Sequence, residues 1–229
     1  IGNFKDITEK AHKAIYTPGA AFLNVMAPCP RGWRYPSEKL MEVTKMAVET
    51  CVWPLYEVVE GKYRLEPHMM LDFRVIRNGR VIHQDTALNE TTIRTSAVGK
   101  EIHFVIYADG VELFACSGDG VIVGTPTGST AYNVSAGGPI VEPTAENILV
   151  TPICAHDLRV RPCVLSKDRV VTVELGHIGK KGVFLSPDGG SFRLSDHDKV
   201  ELRSSDSHIN LVRVTNRSFY EILHQKLGT

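Results

Sequence analysis

The chain is 229 residues long, 43% hydrophobic and 23% charged, a balance that suits a folded globular protein of one or two domains with a sizeable core. Lysine and arginine number 26 and so do aspartate and glutamate, so no global field draws nucleic acid or an anionic membrane, and partners have to be read from sites. No apolar run approaches the roughly 20 residues of a membrane helix, no signal-peptide pattern opens the chain, and five irregularly spaced cysteines without a CxxC give no disulfide framework, so a cytoplasmic location is expected.

In chain order, Phe4, Ile7, Ala11, Ala14 and Ile15 recur at helical spacing, the apolar run 20–27 suits a buried strand, and Leu40 to Cys51 marks a second helix started by Pro36-Ser37. A short hairpin turning at Gly61 ends this α/β segment. Beyond Glu66-Pro67 the period changes to two. Strands at 70–76 and 81–88 flank Asn78-Gly79, and strands at 102–107 and 111–115 flank Asp109-Gly110, both dipeptides being strong hairpin signals. Further strands are predicted at 148–151, 170–175, 199–203 and 209–214, with a closing helix at 218–227. The whole reads as α+β: a mainly-β sandwich at 66–229, preceded by a short α/β segment at 1–65.

Between Asp119 and Pro139 lie a short strand, a hydroxyl-rich turn and small residues suited to a helix start. Such a turn can present free backbone N–H groups, with hydroxyls from Thr127, Ser129 and Thr130, close backbone approach at Gly128 and a ring for stacking at Tyr132. That chemistry suits a ligand with phosphates and an aromatic base. A tight connection whose hydroxyls merely cap a helix is an equally good reading of these residues alone. No lysine follows the glycine as in a Walker loop, and the glycine spacing does not match a dinucleotide fingerprint. Cys154, His156 and Cys163 lack a fourth ligand at zinc spacing, and His156 reads as a hydrogen-bonded structural residue.

Asp119-Gly120, Thr125-Pro126-Thr127-Gly128-Ser129-Thr130-Ala131-Tyr132 and Ser135-Ala136-Gly137-Gly138-Pro139 resemble the signature of NAD kinases. Leu88-Asn89-Glu90, residues 151–156, Arg161-Pro162, Asp188-Gly189 and Phe219-Tyr220-Glu221-Ile222-Leu223 extend the likeness over roughly 66–229. The resemblance implies a phosphotransferase that makes NADP from NAD and ATP with Mg2+, working as a homo-oligomer. It implies that Asn89 and Glu90 hydrogen-bond the ribose to be phosphorylated, the amide orienting and the carboxylate accepting from the diol. Thr127, Thr130, Ala131, Tyr132 and Ser135 would line the nicotinamide and adenine pockets, and Asp119 would bind the dinucleotide, often across a subunit interface. Taken singly, Asn89 reads more readily as a turn residue and Glu90 as a solvated surface charge.

That family also uses a Gly-Gly-Asp-Gly segment whose aspartate activates the 2′-hydroxyl, and this sequence contains none. Phosphoryl transfer is mostly positioning and charge stabilisation, so NAD binding without turnover, by a non-catalytic NAD- or NADP-binding module, is the alternative expectation. Residues 4–65 resemble the C-terminal stretch of a 2-oxoacid:ferredoxin oxidoreductase β subunit, through residues 27–33 with Cys29 and Trp33, Ala47-Val48-Glu49-Thr50 and Trp53-Pro54-Leu55-Tyr56-Glu57. A fragment of such a subunit is therefore a further alternative. Its cluster would need four cysteines, and the partners of Cys29 and the thiamine diphosphate motif are absent, which argues against either cofactor.

Overall fold

The computed structural model describes residues 4–16, 64–96, 100–179, 182–213 and 217–227. The strand expected at 20–27, the helix at 40–51, the Gly61 hairpin and Cys29, Trp33 and Trp53 lie outside the described residues. Two compact units divide the chain, Ile1–Arg64 and Leu65–Thr229. In the first, Phe4–Tyr16 is a helix, α1, in line with its 3.6-residue apolar period.

Among the described residues, twelve strands build the second unit, the first of them starting at the unit boundary. They are β1 (Arg64–Arg77), β2 (Arg80–Ala87), β3 (Glu90–Thr95), β4 (Ile102–Ala108), β5 (Val111–Gly118), β6 (Gly120–Gly124), β7 (Asn147–Ile153), β8 (Cys163–Ser166), β9 (Val171–Leu175), β10 (Val183–Pro187), β11 (Phe192–Arg193) and β12 (Lys199–Arg213). Between β6 and β7 stand a 3₁₀ turn, Thr127–Thr130, and the single-turn helix α2, Tyr132–Ser135; Phe219–Leu227 forms α3. The strands make two six-stranded sheets, ordered β2-β1-β12-β9-β4-β5 and β11-β10-β3-β6-β7-β8.

Both hairpins form where the dipeptides predict them. Asn78 (φ 51°) with Gly79 (74°), and Asp109 (50°) with Gly110 (79°), all sit in the left-handed region, the geometry whose twist matches that of the flanking strands. The two strands expected at 199–203 and 209–214 are instead one, β12. No glycine or proline stands between them, so the polar run at 204–208 has nothing to break it and continues as a largely exposed strand.

One apolar core joins the two sheets. Leu71, Phe73 and Val75 of β1, Phe104 and Ile106 of β4, Val171 and Val173 of β9, and Val200 and Leu202 of β12 meet Ile93, Val121, Val123, Ile148, Val150, Val183 and Leu185 of the other sheet. The alternation within each strand is the period-two signal made physical. Strand β6 is buried along its whole length, so its two ends are held rigidly, and both carry residues singled out in the sequence.

Candidate functional site

Strand β3 lies between β10 and β6, with its first residue, Glu90, opposite Gly124 and its second, Thr91, opposite Pro187. The Leu88-Asn89 turn, the exit of β6 and the exit of β10 therefore meet at one end of a sheet. Asp188, just past β10 and in the left-handed region at φ 37°, ties them together. Its Oδ2 accepts the Leu88 N–H at 2.6 Å, and its Oδ1 accepts those of Asn89 at 2.9 Å and Glu90 at 3.2 Å. From the other side Thr125 donates its N–H to the Asn89 carbonyl at 2.8 Å and its hydroxyl to the Leu88 carbonyl at 2.6 Å.

Glu90 begins a strand between two others and is half-buried rather than a solvated surface charge. Its Oε2 is enclosed without a hydrogen-bond partner, as is the hydroxyl of fully buried Thr91. Burial, with the like charge of Asp188 second, pushes the Glu90 carboxyl up to about 7. Near neutral pH it exchanges a proton readily.

The hydroxyl-rich turn folds directly onto this corner. A Cβ on Gly128 would stand 2.0 Å from the Asn89 carbonyl oxygen, so only glycine permits the approach. The turn is less open than the sequence suggests. The Gly128 N–H goes to Thr125 Oγ1 at 3.2 Å, that of Ser129 to the Pro126 carbonyl at 3.1 Å and that of Ala131 to the Gly128 carbonyl at 2.9 Å. These three are not free for a ligand, two being spent within the 3₁₀ turn and that of Gly128 on a side-chain hydroxyl. Ser129 is likewise taken up, exchanging hydrogen bonds with the backbone of Val141 at 2.9 and 3.1 Å.

Asn133, fully buried, was missed as a site-building residue. Its Nδ2 donates to the carbonyls of Ser129 (3.1 Å) and Pro139 (2.9 Å), and its Oδ1 accepts from the Thr151 hydroxyl at 2.6 Å. With every polar atom satisfied, it fastens the turn to β7. Thr127, Ala131 and Tyr132 are partly exposed, and Thr130 and Ser135 are exposed.

Behind Thr127 stands His68, 1% exposed, which the sequence reading did not single out. It bonds the Thr127 hydroxyl through Nδ1 at 2.7 Å and Glu66 through Nε2 at 2.9 Å. Glu66 and His68 are two apart on β1 and so share a face, a spacing readable from sequence once the strand is known. Asp188 was quoted only as half of an Asp-Gly pair, and its hold on residues 88–90 needs the tertiary fold.

Asp119 is not brought to this corner. It precedes β6 whereas Thr125 follows it, so extended chain sets the two roughly 20 Å apart. Asp119 is exposed, and its backbone links Thr95 and Ile153 at 3.0 Å each. His156 pairs on the surface with Glu101 at 2.7 Å. Among the described residues, no group of three or more His, Cys, Asp or Glu stands ready to hold a metal ion, so an implied Mg2+ has no protein cage there.

The ATP-NAD kinase C-terminal domain family matches residues 88–214. An NAD kinase of Acetivibrio thermocellus is 34% identical over 189 residues, covering 82% of this chain and 64% of that one. An NAD kinase of Yersinia pestis is 31% identical over 234 residues, covering 99% of this chain and 79% of that one. Among solved structures, a yeast NADH kinase complexed with NADH superposes with a TM-score of 0.68 at 25% identity, over 91% of this chain and 57% of that one. An NAD kinase from Archaeoglobus fulgidus in complex with ATP gives 0.55 at 26% identity, over 83% and 66%. The chain spans 61 to 64% of the length of the Acetivibrio and Thermoanaerobacter relatives. With a β-sandwich of this topology and the family matched across 88–214, the chain belongs to the ATP-NAD kinase C-terminal domain family.

Proposed function

We propose that this is an NAD kinase-type protein, serving ATP-dependent phosphorylation of the NAD 2′-hydroxyl to give NADP, in which residues 66–229 form the NAD-binding domain. The observation that carries the reading is the corner at which Asp188 and Thr125 fix the backbone of residues 88–90, holding Asn89 and half-buried Glu90 against the turn at Gly128. The Glu90 carboxyl accepts from a ribose diol, Asn89 orients the sugar, and Thr127, Thr130, Ala131, Tyr132 and Ser135 line the path of the two bases. Asp119, at the far end of β6, serves a dinucleotide held by a neighbouring subunit of a homo-oligomer.

A second reading, an NAD- or NADP-binding module without turnover, is favoured by one sequence fact: no Gly-Gly-Asp-Gly occurs in the chain. The oxidoreductase likeness of residues 4–65 rests on that segment's own motifs, and the Yersinia alignment, running over 99% of the chain, favours reading the segment with the NAD kinases.

Calorimetric titration with NAD and NADP, paired with an assay for NADP formation from NAD, ATP and Mg2+, tests both readings. Binding with turnover supports the kinase, binding without turnover the module, and no binding overturns both. Asn89→Ala and Glu90→Ala are each expected to weaken NAD binding by about 1–3 kcal/mol, the cost of a lost buried hydrogen bond; unchanged affinity overturns the ribose assignment.

A further inference from the structure

Strand β2 is an edge of one sheet and β11 an edge of the other, and both lead into the Glu90 corner. β2 ends at Ala87, directly before residues 88–90, and β11 follows the turn that carries Asp188. That turn is tight: Asp188 and Gly189 are left-handed at φ 37° and 88°, and the Gly190 N–H reaches the Pro187 carbonyl at 2.6 Å. β11 itself is two residues, Phe192 against Leu185 and Arg193 against Phe184 of β10. So short a hairpin has little backbone pairing to hold it.

A ring stack supplies the anchor. Phe192 lies flat on His83 of β2, with centroids 4.4 Å apart and planes 8° from parallel. His83 rests in turn on Phe73, a core residue of β1, at 5.6 Å and 56°. The stack closes the sandwich between its two edge strands and completes a circuit. From Phe192 it passes to His83, along β2 to the N–H groups of residues 88–90, across to the Asp188 carboxylate that accepts them, and round the turn back to Phe192. Asp188 is exposed, so its reach to those three donors depends on where the hairpin stands rather than on packing around its side chain.

We propose that His83 and Phe192 are positioning residues for Asn89 and Glu90: their stack holds the β10–β11 hairpin where Asp188 grips residues 88–90, and so sets the affinity for the 2′-hydroxyl of the dinucleotide's ribose. The inference rests on the NAD-binding reading of this corner. Stacking asks only for two flat rings, so a phenyl ring at 83 serves as well as the imidazole.

Two measurements on the full chain decide it. In the first, NAD is compared by titration with its analogue carrying hydrogen in place of the adenosine 2′-hydroxyl. The unaltered chain is expected to bind NAD about tenfold more tightly, the worth of one hydrogen bond. That ratio should fall toward one in Phe192→Ala and in His83→Leu, which keeps apolar bulk on a half-buried edge strand and decides the matter if Phe192→Ala does not fold. It should persist in His83→Phe. Adding His83→Leu to Asp188→Ala is expected to weaken NAD no further, because the rings act through Asp188. A packing role alone would weaken both ligands alike and leave the ratio intact, which overturns the proposal, as do losses that simply add in the double variant. In the second, amide hydrogen exchange of the ligand-free chain is expected to show the Leu88, Asn89 and Glu90 amides losing about tenfold in protection in His83→Leu, the worth of one aromatic stack; unchanged protection overturns the proposal. Equal affinity of the unaltered chain for the two ligands is a different result, removing the ribose assignment and this inference with it, and failure to bind NAD at all removes the function reading on which both rest.

Discussion

Glu90 combines an enclosed oxygen with the repulsion of Asp188, and both penalise its charged form. Its carboxyl, raised from 4.5 to about 7, is protonated in folded and unfolded chains alike below about pH 4.5, so it costs nothing there. As pH rises through 7 the folded chain must ionise a group the unfolded chain ionises easily, and about 3 kcal/mol of stability is lost. Glu90→Gln is therefore expected to raise the unfolding free energy by up to about that amount at pH 8.5, with little change at pH 4, while weakening NAD binding. Urea titrations at the two pH values check the first part, and equal effects at both would overturn it. Gly128 makes the complementary case by sterics. With the Asn89 oxygen 2.0 Å from where a Cβ would go and both partners in backbone, Gly128→Ala is expected to cost on the order of 2 kcal/mol and to separate the turn from Asn89, lowering the melting temperature and NAD affinity together. The identity of these residues was legible in the motif, but their condition was not. No local pattern tells that Glu90 lacks a partner, because that depends on strands β6 and β10, which arrive from far along the chain.

Strands β1 and β12 are clipped at both ends, by Arg77 to Asp198 at 2.8 Å and by Arg213 to Glu66. Asp198 is fully buried and Glu66 nearly so, so these pairs are shielded from the screening that makes surface pairs weak. The Glu66 carboxyl is depressed from 4.5 to about 2, so its contribution, about 3 kcal/mol, is present above pH 4.5 and is lost as pH falls toward 2. Arg213→Met is expected to remove most of it, destabilising the protein at pH 7 and flattening the acid limb of its stability curve between those values. An acid-unfolding midpoint that does not move would count against the clip. At this scale the hairpins were readable because Asn78-Gly79 and Asp109-Gly110 act within two residues. Strand β3 was not, since Glu90-Thr91-Thr92-Ile93-Arg94-Thr95 carries one aliphatic residue and owes its burial to neighbours rather than to its own hydrophobicity. The division of β12 into two strands failed for a related reason, a polar run being taken for a break.

Across the second unit a single core spans both sheets, with Phe104 fully buried in it. Phe104→Ala is expected to cost about 3–5 kcal/mol through lost burial and the cavity left behind, seen as a lower urea midpoint. Because Phe104 belongs to β4, in the sheet opposite the Glu90 corner, NAD affinity measured well below that midpoint should be unchanged. The sequence by itself determined the mainly-β character, the two tight hairpins and the motif set Asn89, Glu90 and Thr127 to Tyr132, because these depend on side-chain period, turn stereochemistry and short ordered runs. Only the tertiary structure decided that Asp188 grips residues 88–90, that His68 backs Thr127, that the backbone donors of the turn are already taken and that Asp119 stands apart. Sheet order and the meeting of strand ends arise from packing between segments up to 147 residues apart, and no local pattern of residues encodes which donor a buried oxygen will find.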